Sequence, residues 1–223
     1  MTAPAYDARV SERPTLTAVL WDFGGVILSS PFEAFARYEH DHGLPLGFIR
    51  SVNATDPLHN AWALLERSDI SPAQFDHRFA DESAALGHRI AGADVLALLS
   101  GDVRPEMVDL LDRVIGAGYR TACLTNNVVG GHATPERAAV VGAVMARFDL
   151  VVESSKVGVR KPEPRFYEIA CEQLRVVPHE CVFLDDLGIN LKPAAAMGMR
   201  TIKVVSARQA LDELSAILGL TLG

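Results

Sequence analysis

The sequence predicts an α/β fold, a Rossmann-like core built on a parallel five-stranded sheet and interrupted by a small all-helical insertion. Three observations carry that prediction. The apolar run Ala18 to Trp21 has no polar alternation and ends at Asp22, with Gly24 and Gly25 close behind, as a strand buried on both faces would. Residues 31–99 hold helical stretches and no convincing strand. From Arg104 onward short apolar runs alternate with amphipathic helices, the order of parallel βαβ units.

Taken in order, residues 1–14 are polar and aperiodic and read as a loose tail. After the first strand, Ser30-Pro31-Phe32-Glu33 has the form of a capping box with proline at the first helical position. Helices are expected over 31–40, 45–52, 57–66, 72–86 and 92–99, the fourth opened by a second box, Ser71-Pro72-Ala73-Gln74. A wholly helical block between a strand and an α/β region reads as a cap, so 15–30 and 100–223 form the core domain and 31–99 the cap domain. Met107, Val108, Leu111, Val114 and Ile115 repeat at helical spacing between Pro105 and Gly116. A second strand over 119–124 stops at Thr125-Asn126-Asn127, Gly130-Gly131 is a flexible turn, and Thr134-Pro135-Glu136 opens a helix to about Arg147. A third strand covers 150–153, residues 156–164 form a loop, and Phe166, Ile169, Ala170 and Leu174 mark the next helix. The fourth strand, 181–184, terminates in Asp185-Asp186; Asn190 can cap a helix ending near Met197-Gly198; a fifth strand over 201–205 and a helix over 207–218 finish the chain.

Composition narrows the function. The 223 residues are 49% hydrophobic and 22% charged, enough for one full core with a smaller insertion. A net charge of −7 without any basic stripe argues against nucleic acid as a partner. No stretch reaches the length of a membrane span, and the first 14 residues lack the apolar segment of a signal peptide, so a cytoplasmic protein, monomer or homodimer, is expected. Cys123, Cys171 and Cys181 lie in apolar segments without metal-ligand spacing and read as buried thiols in a reducing compartment. The seven histidines, among them His59 and His132, show no ligand spacing. Trp62 and Phe75 are candidates to line a substrate entrance but read first as core of the helical block, and Phe32, Phe35 and Tyr38 are candidates to face the site from it.

The chemistry collects at strand exits, which a parallel sheet gathers on one edge. Asp22, Thr125 with Asn126, Lys161, and Asp185 with Asp186 all fall at or just beyond such exits. Carboxylates gathered in one crevice repel and raise one another's pKa unless a cation joins them. Mg²⁺ meets that need and leaves room for a phosphate oxygen. Lys161 would neutralise the remaining negative charge, and Thr125 with the Asn126 N–H would hold phosphoryl oxygens. An aspartate held in this way can attack phosphorus in line and give an acyl phosphate.

Asp22 to Val26, Leu124-Thr125-Asn126, Val159 to Pro164 and Phe183 to Pro193 resemble, in order and spacing, the four signature motifs of the haloacid dehalogenase superfamily, over residues 16–206. The last two motifs are especially similar to the amino-terminal phosphatase domain of soluble epoxide hydrolase and its bacterial single-domain relatives. The resemblance implies a phosphatase for a small phosphorylated metabolite, with Mg²⁺ as cofactor. It makes Asp22 the nucleophile and a metal ligand and gives the metal the Gly24 carbonyl. Asp186 becomes a direct ligand and Asp185 a direct or water-mediated one. The transferring group is left to Gly25, Thr125, Asn126 and Lys161.

One departure matters. The family's phosphatases carry a second aspartate, a general acid and base, two residues after the nucleophile, where this chain has Gly24. Such a group contributes about 10²–10⁴ in rate. Glu66 and Asp69 from the cap are candidate replacements, though each reads first as a residue on a solvated helix end. The same absence admits two rivals: a 2-haloacid dehalogenase, which has no use for the Asp185-Asp186 pair, and a catalytically impaired binding or regulatory module.

Overall fold

The computed structural model describes residues 15–99, 101–127 and 134–221. The tail over 1–14, Gly130-Gly131 and His132 lie outside the described residues. Strands β1 (Ala18–Trp21), β2 (Arg120–Thr125), β3 (Leu150–Glu153), β4 (Cys181–Asp185) and β5 (Arg200–Lys203) form one sheet in the order β3-β2-β1-β4-β5. Every pairing is parallel. The first strand therefore sits at the centre, hydrogen-bonded on both sides, and the apolar run that opens the fold is the one most enclosed by it.

Alternation along the strands explains why they are apolar throughout. Val19 and Trp21 of β1, Cys123 of β2, and Val182 and Leu184 of β4 join one buried cluster with Met107, Leu111 and Leu214. Ala18 and Leu20, Ala122 and Leu124, and Cys181 and Phe183 point to the opposite face and pack on Phe166, Tyr167 and Ala194. Successive side chains of a strand alternate faces, so two buried faces require every position to be apolar. Helices α6 (Pro105–Gly116), α7 (Pro135–Met145) and α11 (Ala207–Leu218) cover the first face, and α9 (Pro164–Leu174) and α10 (Gly188–Ala196) the second. Truncating Phe183, fully buried at the centre of the second cluster, would cost about 3–5 kcal/mol. All three cysteines are buried and free.

Residues 32–97 supply the helical block expected there: α1 (Phe32–Asp41), α2 (Phe48–Ala54), α3 (Ala61–Glu66), α4 (Pro72–Ala85) and α5 (Gly92–Ala97). The block buries its own cluster, in which Phe35, Ile49, Leu65, Phe75 and Phe79 meet. Trp62 lies edge-on to Phe75 at 5.8 Å, the packing role expected of both. The Ser71 box forms in full: Ser71 Oγ accepts from Gln74 N at 3.2 Å, and Gln74 Oε1 accepts from Ser71 N at 2.9 Å.

Other local readings are corrected. At the first box Pro31 already has helical dihedrals, and Ser30 Oγ accepts from the nearer Phe32 N at 3.4 Å instead of capping at Glu33. Such short serine turns compete with capping. The stretch after β3 is not all loop, since α8 (Ser154–Val157) precedes Gly158. Asn190 does not cap α10. The helix opens at Gly188 after Leu187, and the Asn190 side chain turns back to Asp185. The carboxylate is the stronger acceptor and draws the amide away from the helix end.

Candidate active site

Asp22 follows the last residue of β1, and its main chain still bonds to β4 through Leu184 O at 2.8 Å. The chain then turns through Gly24 (φ −71°, ψ 128°) and Gly25 (φ 78°, ψ −10°), the dihedrals of a type II turn, whose third residue needs a positive φ. Leu28 N donates to Phe23 O at 2.8 Å and closes the wider loop around that turn. The two glycines differ in what surrounds them. A Cβ on Gly25 would lie 2.3 Å from Asp186 Oδ2, whereas one on Gly24 would meet nothing within 4 Å.

The strand exits do converge. Asp22, Asp185 and Asp186 offer carboxylate oxygens that all lie within 4.8 Å of one another, the one such grouping of potential metal ligands among the described residues. Lys161 is fully buried between them, its Nζ 2.7 Å from Asp22 Oδ1 and 2.8 Å from Asp185 Oδ2. Asp22 Oδ1 also accepts from Phe23 N at 2.6 Å. Asp185 is saturated: beside Lys161 it accepts from Leu187 N at 2.7 Å and from Asn190 Nδ2 at 3.1 and 3.0 Å. Asn190 is itself fixed, its carbonyl accepting from the Tyr167 hydroxyl at 2.6 Å. Asp186 makes no ion pair among the described residues and faces a cavity.

The charges are unbalanced. Burial pushes the Asp22 carboxyl well above the ordinary carboxylate range; Lys161 opposes the shift and Asp185 and Asp186 add to it. Asp186 is pushed up to about 6 by burial and by Asp185. Burial pulls the Lys161 ammonium down, but Asp185 and Asp22 outweigh it and leave that pKa above its usual value. One lysine against three carboxylates leaves excess negative charge in a low-dielectric pocket, which a hard divalent cation with oxygen ligands would relieve. On donor type, spacing and charge the residues fit Mg²⁺.

Thr125, the last residue of β2, is buried with its hydroxyl unbonded among the described residues. The Asn126 side chain holds the Lys161 loop from both directions: Nδ2 donates to Lys161 O and Oδ1 accepts from Lys161 N, each at 2.9 Å. The cavity, about 620 Å³, is lined by Gly25 and Asp186 and by Phe32, Arg50, Arg104 and Lys203. Of the aromatic residues expected to face the site, Phe32 does so, with the Arg50 guanidinium 4.2 Å above its ring. Phe35 is core, and the Tyr38 hydroxyl donates to Asp94 Oδ2 at 2.9 Å.

Sequence reasoning missed Arg50, Arg104 and Lys203, isolated cations with no motif around them. Arg104 Nη1 donates to Gly25 O at 3.2 Å and braces the turn. It also misread Glu66, which is not on a solvated end. Glu66 is 5% exposed, Oε1 accepting from Trp62 Nε1 at 2.9 Å and Oε2 from Asn126 Nδ2 at 3.3 Å and from Arg160 Nε. Burial raises its pKa against the opposing pull of Arg160. Asp69 pairs with Arg67 at 2.9 Å at the surface, and neither acid lines the cavity.

Parallel strands in this order, with carboxylates from the ends of β1 and β4 around one buried lysine, define a hydrolase class. The family of haloacid dehalogenase-like hydrolases matches residues 16–198, and the chain belongs to it. It is 32% identical over 214 residues to acyl-CoA dehydrogenase family member 10 of Mus musculus, covering 92% of this chain and 19% of that protein. It is 31% identical over 217 residues to bifunctional epoxide hydrolase 2 of the same organism, covering 92% and 39%. The chain thus spans well under half the length of these relatives. With a phosphatase of Mycobacterium tuberculosis it shares 29% over 218 residues, 89% of this chain and 91% of the other. Solved structures repeat the fold. A haloacid dehalogenase family enzyme of Bacteroides thetaiotaomicron, in complex with magnesium and inorganic phosphate, superposes with a TM-score of 0.55 at 22% identity, covering 84% and 93% of the two chains. An L-2-haloacid dehalogenase of Xanthobacter autotrophicus with chloropropionic acid covalently bound gives 0.57 at 20%, covering 91% and 83%. Among the described residues no helix is long and apolar enough to cross a membrane.

Proposed function

We propose that this hydrolase is a Mg²⁺-dependent phosphatase acting on a small phosphate ester through an aspartyl phosphate on Asp22. The observation that carries the reading is the convergence of Asp22, Asp185 and Asp186 around one buried lysine. The names of two relatives, a phosphatase and the magnesium and phosphate complex, support it. The helical block, 31–99, acts in this reading as the cap over the core formed by 15–30 and 100–223.

In that site Asp22, Asp186 and the Gly24 carbonyl would hold the metal. Asp185, whose oxygens are occupied, would act on it through water and on Lys161 directly. When bound, Mg²⁺ supplies charge neutralisation for the phosphoryl oxygens. Asp22 Oδ2, the oxygen left free by Phe23 N and Lys161, attacks phosphorus as the bond to the ester oxygen breaks. The departing alkoxide takes its proton from solvent, because Gly24 offers no acid, so esters with good leaving groups turn over fastest. Water then attacks phosphorus, regenerating the Asp22 carboxylate and releasing phosphate. Thr125 Oγ1 and the Asn126 N–H bind phosphoryl oxygens, and Arg50 and Lys203 draw the anionic ester into the cavity.

The second reading, hydrolysis of a carbon–halogen bond by Asp22, draws on the absent second aspartate and on a dehalogenase neighbour. The test is a panel of phosphate esters and 2-haloacids with and without EDTA. Phosphate release abolished by EDTA is expected. Halide release insensitive to EDTA would replace the reading with the second, and silence across the panel would leave a binding module.

A further inference from the structure

We infer that Glu66 is a positioning residue for the reaction, a clamp by which the helical block fixes the loop that carries Lys161. The inference rests on the proposed function only for the reaction it serves. Three observations combine. Glu66 ends α3 and is buried against the core, and its carboxylate reaches out of its own block to two different core loops. On the loop after β2 it accepts from Asn126 Nδ2, and on the loop before α9 it accepts from Arg160 Nε. Those two partners flank Lys161. Arg160 is its chain neighbour, and Asn126 holds both the N–H and the carbonyl of Lys161 at 2.9 Å.

The remaining bonds close the arrangement. Trp62 Nε1 donates to Glu66 Oε1 at 2.9 Å and sets the carboxylate plane, while Arg160 Nη1 donates to Pro57 O of the same block at 3.1 Å. A buried carboxylate is stable only when paired and fully hydrogen-bonded, so Glu66, held by Trp62 within its own helix, gains Asn126 and Arg160 only when the block is seated on the core. Seating the block and fixing Lys161 against Asp22 are then one event. A plain interface ion pair would hold the block in place and leave the lysine loop indifferent to its charge.

The test uses the full chain with Glu66→Gln, which keeps the shape and the Trp62 bond, and Arg160→Gln, singly and together. Hydrogen exchange is followed over residues 125–127 and 158–163, with β4 as internal reference. Turnover of an activated aryl phosphate in Mg²⁺ is measured alongside. Each single variant is expected to speed exchange in both loops and to lower kcat by about tenfold, as loss of a buried charged hydrogen bond would, with KM nearly unchanged. The double variant should be no worse than either single one. Unchanged loop exchange in a folded Glu66→Gln protein, additive losses, or a change confined to KM would overturn the clamp. Should the unmodified protein turn over no phosphate ester, the proposed function fails and the exchange measurement alone decides this inference.

Discussion

The two sides of the site, joined at the cavity by Asp186, are built by opposite rules. On the sheet side Asp22, Asp185 and Lys161 are buried and held by hydrogen bonds that leave them one arrangement. On the helical side Arg50 is exposed, rests on the Phe32 ring, and pairs with no carboxylate among the described residues. Preorganised groups at fixed distances are what bond-making needs, because they cost no reorganisation as charge develops. Exposed, adaptable cations suit recognition and attraction instead. Under the proposed function, that difference puts the chemistry at the sheet edge and the choice of ester with the helical block.

That division is broken most directly at the nucleophile. Asp22→Asn, close in shape but uncharged, should lower aryl phosphate turnover by about 10⁴-fold or more. Retained activity would remove Asp22 from its role. Next come the two glycines, adjacent yet unequal. Gly25→Ala puts a methyl 2.3 Å from Asp186 Oδ2 at a positive φ and should depress Mg²⁺-dependent turnover by about 10²-fold, whereas Gly24→Ala has open space and should be nearly neutral. The same space admits Gly24→Asp, which should raise phosphatase rate toward the 10²–10⁴ that a general acid supplies. A fall in rate with that variant would show the glycine to be tuned to other chemistry.

A smaller effect tests the helical wall. Arg50→Ala should raise KM about tenfold with kcat little changed, since a cation that binds substrate and transition state alike alters only uniform binding. A matching loss in kcat would move Arg50 into the bond-making wall.

The least effect concerns pH. Asp22 and Asp186 titrate above their unfolded values, so without metal the folded chain binds more protons than the unfolded one near neutrality. Metal-free thermal stability should therefore rise as pH falls from about 7.5 through 6, the value to which Asp186 is pushed. Stabilisation by Mg²⁺, followed by thermal melting, should shrink over the same interval as protons compete for the carboxylates.

The sheet wall was legible in the sequence and most of the helical wall was not, for physical reasons. Strand exits in a parallel sheet lie on one edge whatever the details, so Asp22, Thr125, Lys161 and Asp185-Asp186 could be gathered from their places in the chain. The roles of Glu66 and Arg50 depend on how the helical block seats on the core and which way each side chain then points. No local pattern encodes that. Asn190 shows a third case. Its place just past a strand suits a helix cap, and only the nearby Asp185 carboxylate, brought close by folding, redirects it.

A crystal structure of the protein soaked with Mg²⁺ and beryllofluoride would show whether Asp22 and Asp186 serve one divalent ion beside a nucleophilic oxygen. Beryllium is expected on an Asp22 carboxylate oxygen, with the ion shared by Asp22, Asp186 and the Gly24 carbonyl. Beryllofluoride absent from Asp22, or magnesium bound without Asp186, would contradict that expectation.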